Sequence, residues 1–217
     1  MLKRLVVKEL RESAGLVALA VLGMAYVLAS LTGFPILPWQ QRSEIYQYPF
    51  VRDSLPFYFA LSAGGLAIAL GLKQTAWELG QGTYYFLLHR PVHRQRIFII
   101  KLAVGGMLAM SLSGLLILLY AWWAMTPGHF PAPFYWSMTF PAWKMWIAIL
   151  TVYLGAFLSG IRPGRWFGSR LVPLAAAIST ALMISDASWF WLAVALSLAT
   201  SLLGVFAIFH YVQQRDY

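Results

Sequence analysis

The sequence predicts an all-α membrane protein with six transmembrane helices. Three observations carry that prediction. The 217 residues are 60% hydrophobic and only 11% charged, where soluble domains carry about 45–50% and about 25%. A water-soluble globule of this size would lack the polar surface to cover itself. The apolar residues fall in runs near the roughly 20 residues that cross a bilayer core of about 30 Å. The basic residues cluster in alternate connections between those runs.

The runs are Ala14–Ile36, Leu55–Leu72, Ile97–Met125, Phe140–Ile161, Leu171–Ser185 and Trp189–Tyr211. The third is long enough to tilt or to project beyond the membrane. The fifth is short, and only "SDAS" separates it from the sixth, which predicts a tight helical hairpin. Before the first run, "MLKRLVVKELRES" places Leu2, Leu5, Val6 and Leu10 on one helical face and Arg4, Lys8 and Arg11 on the other. That pattern predicts an interfacial helix over 1–13, lying flat before the chain turns into the first span. The following run is as long as a full span, so it reads as a retained helix rather than a signal peptide. The chain thus reads as one transmembrane domain, 1–217, with a cytoplasmic connection at 73–96.

Orientation follows from the positive-inside rule. With the N-terminus inside, all of the 16 basic residues except Arg42, Arg52 and Lys144 fall on inner segments. Of the ten tryptophans, all but Trp77 and Trp166 fall at predicted outer ends, where amphipathic rings favour the headgroup level. Both signals place both termini in the cytoplasm. The net charge of +9 is then accounted for by topology and anionic inner-leaflet lipid, so nucleic acid is not an expected partner.

Several chemistries are excluded or thinly supported. There are no cysteines, hence no disulfide, thiolate metal site or thiol nucleophile. Ionisable residues within membranes mark proton and ion pathways, and the six runs hold almost none. Glu44 and Asp53 fall in the first outer loop, Asp186 in the last outer turn, and Glu78 in an inner loop. No G-x-x-x-x-G-K-[ST] loop is present, and His89, His93, His129 and His210 show no metal-ligand spacing. "SLSG" at Ser111–Gly114 superficially resembles a membrane-protease serine motif with His210 as base. Small residues that let helices approach closely explain it better, as they do Ser62–Gly65 and Gly105–Gly106.

The connection "WELGQGTYYFLLHRPVHRQRIFIIK" (Trp77–Lys101) concentrates the polar residues. The second helix can run on through "KQTAWELG", because nothing breaks it before Gly80. A short helix can follow and stop at Arg90, since a residue preceding proline disfavours the α region. On it Glu78, Gly82, Tyr85 and His89 share one face, and Leu79, Thr83, Phe86, Leu87 and Arg90 the other. Arg94, Arg96 and Lys101 then sit where they would anchor the third span at the headgroups. Periodicity alone fits a docking element and an ordinary interfacial loop equally.

The same stretch resembles the first cytoplasmic loop of ABC type-2 transporter permeases. The matching residues are Glu78, Gly82, Thr83, Leu87, Leu88, Pro91, Arg94 and Lys101, and "KELRES" (Lys8–Ser13) is similar to that family's opening helix. His93 stands where a small polar residue is more usual, and the short segment after the fifth span leaves little outer subdomain. The resemblance implies a permease subunit of a bacterial inner-membrane exporter. A second permease copy or homologue and two ATP-binding-cassette ATPase subunits would complete it. ATP and Mg would be bound by those partners, with no catalytic residue, metal or cofactor in this chain. It implies ATPase-coupling contacts at Glu78, Gln81, Gly82, Thr83, Tyr85, Leu87, Leu88, His89, Pro91 and Arg94. Lys3, Arg4, Lys8, Arg11 and Lys101 would be interfacial anchors in contact with membrane lipid. A non-transporting scaffold or mechanotransmission subunit would use the same loop, and an intramembrane enzyme is the third reading.

Overall fold

The computed structural model describes residues 2–34, 48–51, 53–81, 94–127, 133–165 and 168–214. Within them the chain is almost wholly helical. We name the helices α1 (Leu2–Thr32), α2 (Leu55–Gly80), α3 (Arg94–Met125), α4 (Phe140–Ile161), α5 (Val172–Asp186) and α6 (Phe190–Gln214). Gly82, Thr83, Tyr85, Leu87, Leu88, His89 and Pro91 lie outside the described residues, as does the predicted helix that Pro91 would end.

Among the described residues, five helices are long and apolar enough to cross a membrane: all of those named but α5. Their outward faces carry Leu19, Leu22, Met107, Leu202 and Phe206, all exposed. Water would penalise such surfaces, whereas lipid accepts them. The chain is an integral, multi-pass membrane protein. The expected sixth span, α5, has 15 residues and rises about 22 Å, short of a bilayer core of about 30 Å.

Local chemistry sets most helix ends. Pro141 and Pro173 open α4 and α5, where the missing N–H costs nothing. Arg162 leaves α4 in an extended conformation, with ψ at 130°, because Pro163 follows it. Arg170 then returns to the end of α4, donating from Nε to the Ser159 carbonyl (3.2 Å) and from Nη2 to the Gly160 carbonyl (2.9 Å). It satisfies carbonyls that the helix end leaves open. As expected, α2 runs unbroken to Gly80. Two of its turns, Ala60–Gly64 and Lys73–Trp77, are wide π-type turns. In each a hydroxyl donates four residues back, Ser62 to Tyr58 O (2.7 Å) and Thr75 to Gly71 O (2.6 Å), competing with the backbone ladder.

The expectation for the N-terminus is corrected. There is no separate flat helix over 1–13, because α1 is one continuous helix of 31 residues. Gly15 is its sole weak point near the supposed turn, and one glycine costs a helix only about 1 kcal/mol. The face of α1 that meets the bundle is also not the apolar one expected. Leu5, Glu9 and Ser13 are buried at four-residue spacing, whereas Leu10 is exposed.

The centre of the molecule is α4. Of its most apolar stretch 67% is buried, against 17% for α1 and 22% for α6, and Thr151–Phe157 is buried without interruption. It packs against α2 and α3 on one side and α5 and α6 on the other, while α1 lies against α2 and α3. The predicted reversal between α5 and α6 is present. Lys144 of α4 holds it by donating to the Ala187 carbonyl at 2.8 Å.

Candidate functional site

Three charged side chains meet where α1, α2 and α3 converge. Glu78 is in the last turn of α2, and Lys101 and Glu9 are in the third turns of α3 and α1. The Lys101 ammonium lies 2.5 Å from Glu78 Oε1 and 2.8 Å from Glu9 Oε1. Lys101 is 1% exposed, Glu9 3% and Glu78 6%, so these are buried ion pairs. Lys101 is therefore not the headgroup anchor that its place at the start of a span suggests. It faces inward, because two carboxylates on neighbouring helices make burial of its charge tolerable.

The site extends to both sides. Towards its partly exposed edge, Lys8 pairs with Glu12 at 3.4 Å and stands 3.9 Å from Glu9, while Lys73 donates to the Glu12 carbonyl. A cavity of about 180 Å³ lies among Glu9, Glu12, Ser13, Lys73, Gln74 and Glu78. Ligand oxygens of Glu9, Glu12 and Glu78 lie within 4.8 Å of one another. Three lysine ammoniums, from Lys8, Lys73 and Lys101, already supply the countercharge that a cation would bring. Towards the core, the Tyr153 hydroxyl donates to Gln74 Oε1 (2.7 Å) and lies 3.1 Å from the Lys101 carbonyl. Tyr153 and Gln74 are both buried. Gly105 makes this junction possible, because a Cβ there would collide with Gln74 and the Tyr153 hydroxyl.

The other expected residues divide. Arg94 opens α3, and Gln81 is exposed in the turn that closes α2. Lys3, Arg4 and Arg11 are exposed along α1, and Lys8 is half-buried beside Glu12. Of the predicted set the structure brings together Glu78, Lys101 and Lys8. Sequence reasoning missed Glu9, Glu12, Gln74 and Tyr153. The signal for Glu9 was available in the four-residue spacing of Leu5, Glu9 and Ser13. Of the serine motif, Ser113 is buried and donates to Ala109 of its own helix at 2.6 Å, while His210 is exposed and stacks on Phe206.

At the opposite end of the bundle a second polar hub ties the entry of α2 to α3. Asp53 accepts from the backbone N–H of Phe50 (2.8 Å) and of Leu55 (3.1 Å), and from the Tyr120 hydroxyl (2.9 Å). Phe50, buried against Tyr120 and Phe134, has a φ of 66°, a left-handed conformation that bulky residues avoid.

The chain was compared with protein-family models, curated proteins and solved structures, and none of them matches.

Proposed function

We propose that this chain is the membrane subunit of an ATP-binding-cassette transporter, driven through its 82–93 segment by a separate ATPase. The observation that carries the reading is the ion triad at the two ends of that segment. Glu78 leads into it and Lys101 follows it by two helical turns, and Lys101 binds both Glu78 and Glu9 of α1. A push on the segment would therefore reach three helices at once, through contacts too buried for water to screen. The sequence match at Glu78, Gly82, Thr83, Leu87, Leu88, Pro91, Arg94 and Lys101 supports the same reading. In this picture six spans, α5 included, leave both termini in the cytoplasm of a bacterial inner membrane. Two permease copies pair above two ATPases, which bind the ATP and Mg, and the direction of transport is export.

The test is purification of the chain from its own membranes in mild detergent, with associated proteins identified by mass spectrometry. An ATP-binding-cassette ATPase in equal proportion is expected, and Leu88→Asp should remove it while helicity and elution volume stay unchanged. Leu88 is the residue to change, because altering Glu78 would break the buried triad whatever docks outside it. A complex without such an ATPase, or one that survives Leu88→Asp, overturns the reading. Stimulation of ATP turnover by a cargo would then distinguish a transporter from a subunit that only transmits force.

A further inference from the structure

The cavity of about 180 Å³ beside the ion triad lies between residues of α1 and α2, and apart from Trp77 its lining is polar. Two of the lining residues, Ser13 of α1 and Gln74 of α2, are each only 2% exposed. Gln74 stands in the wide turn Lys73–Trp77, a kind of helical irregularity frequent at functional sites. Its Oε1 accepts from the Tyr153 hydroxyl. Its Nε2 is buried and, among the described residues, has no hydrogen-bond partner. A buried donor left without an acceptor is costly, so this amide points to a ligand that can accept. The ligand need not carry charge. Glu9, Glu12 and Glu78 are balanced by Lys8, Lys73 and Lys101 around the same cavity, and an ion of either sign would upset that balance.

We infer that the cavity is a binding site for a cluster of ordered water, which accepts from Gln74 Nε2 and bridges α1 to α2. Water matches the lining in three respects. It is neutral, it can accept from Gln74 and Lys73 while donating to carboxylates, and several molecules fit the volume, each needing about 10–15 Å³. The cluster joins the triad to the Gln74–Tyr153 junction, so that one hydrogen-bonded network runs from α1 to α4. Waters held by several polar partners are part of the structure. They leave Lys101, at 1% exposure, out of reach of bulk solvent and its ion pairs unscreened by it. The inference rests on the cavity alone and is independent of the proposed coupling to an ATPase.

A pair of nearly isosteric substitutions in the full-length chain provides the test. Ser13→Leu and Ser13→Asn put similar bulk into the cavity, so any steric cost falls on both. Displacing ordered water with a group that cannot reproduce its hydrogen bonds is unfavourable. The thermal midpoint of Ser13→Leu in detergent should therefore lie several degrees below that of Ser13→Asn, although leucine is the better helix former. A dry cavity would reverse the order, because apolar filling of a void stabilises. Exchange of a thiol gives a second reading. The chain has no cysteine, so Ser13→Cys supplies a single S–H stretch for infrared spectroscopy. On transfer to D₂O it should convert to S–D much faster than the stretch of Ser113→Cys, whose site on α3 is also buried. Ser13→Leu as stable as Ser13→Asn, or more so, overturns the inference, as do equal exchange rates at the two thiols. The small Ser13→Cys change decides the matter even if Ser13→Leu fails to fold.

Discussion

Lys101 and Glu78 are 23 residues apart in sequence and 2.5 Å apart in space, so one buried ion pair ties the end of α2 to the start of α3. Burying charge is costly, and removal of one member of a buried pair typically costs about 3–5 kcal/mol because its partner is left uncompensated.

Lys101→Met should accordingly be among the most damaging single changes in the protein. It strands two carboxylates, so a loss of about 3–5 kcal/mol is expected, seen as a large fall in the thermal midpoint of tryptophan fluorescence in detergent. The triple variant Glu9→Gln, Glu78→Gln, Lys101→Met removes all three charges and should recover most of that loss. A triple variant no more stable than Lys101→Met would show that the charges are not what holds the three helices.

Glycines that look alike in sequence should behave differently. Gly105→Ala would drive a methyl group into Gln74 and Tyr153, whereas a methyl at Gly64 meets nothing within 4 Å. Gly105→Ala should lower the thermal midpoint by several degrees. Gly64→Ala should leave it unchanged or raise it, since alanine favours helix by about 0.5–1 kcal/mol. Equal responses would count against the close approach of α2, α3 and α4.

Asp53→Ala should loosen the far end of the bundle. The change strands the buried Tyr120 hydroxyl and two backbone N–H groups, at about 1–3 kcal/mol for each group left without a partner. Asp53→Asn keeps acceptor oxygen and should cost clearly less. Hydrogen exchange at Phe50 and Leu55 would read the difference, and indistinguishable variants would rule out Asp53 as the hub.

The natural absence of cysteine makes the span count directly measurable. Single cysteines at Arg165→Cys and Ser188→Cys flank α5 at exposed positions. If α5 crosses the membrane, an impermeant maleimide added outside intact cells labels Ser188→Cys and spares Arg165→Cys. Labelling of both from one side would mean that α5 does not cross.

Helix positions were largely legible in the sequence, because hydropathy and proline placement are local properties. Phe140–Ile161 was read to the residue, and Gly80 was foreseen as the end of α2. The site was legible only in part. Lys101 has the sequence context of a headgroup anchor, and only the rotation of α3 against its neighbours decides that it points inward. The four-residue spacing of Leu5, Glu9 and Ser13 could have marked Glu9 as inward-facing, but nothing local points to its partner 92 residues away. The small-residue pairs were read alike as packing positions. Contact across the bundle confirms that for Gly105, but Gly64 and Gly65 face open space.

The way α1 is held sets what it can transmit. Leu5, Glu9 and Ser13 are buried at one end and Met24, Val27 and Leu31 at the other, while no residue from 14 to 23 is buried. About 33 Å of helix axis separates Glu9 from Leu31. The helix is thus a beam pinned at both ends and held only lightly between them, by the half-buried Leu16 and Ala20. A displacement at the Glu9 pin meets little side-chain packing along the middle of the beam, so most of it passes as torque to Met24–Leu31, across most of the thickness of the membrane.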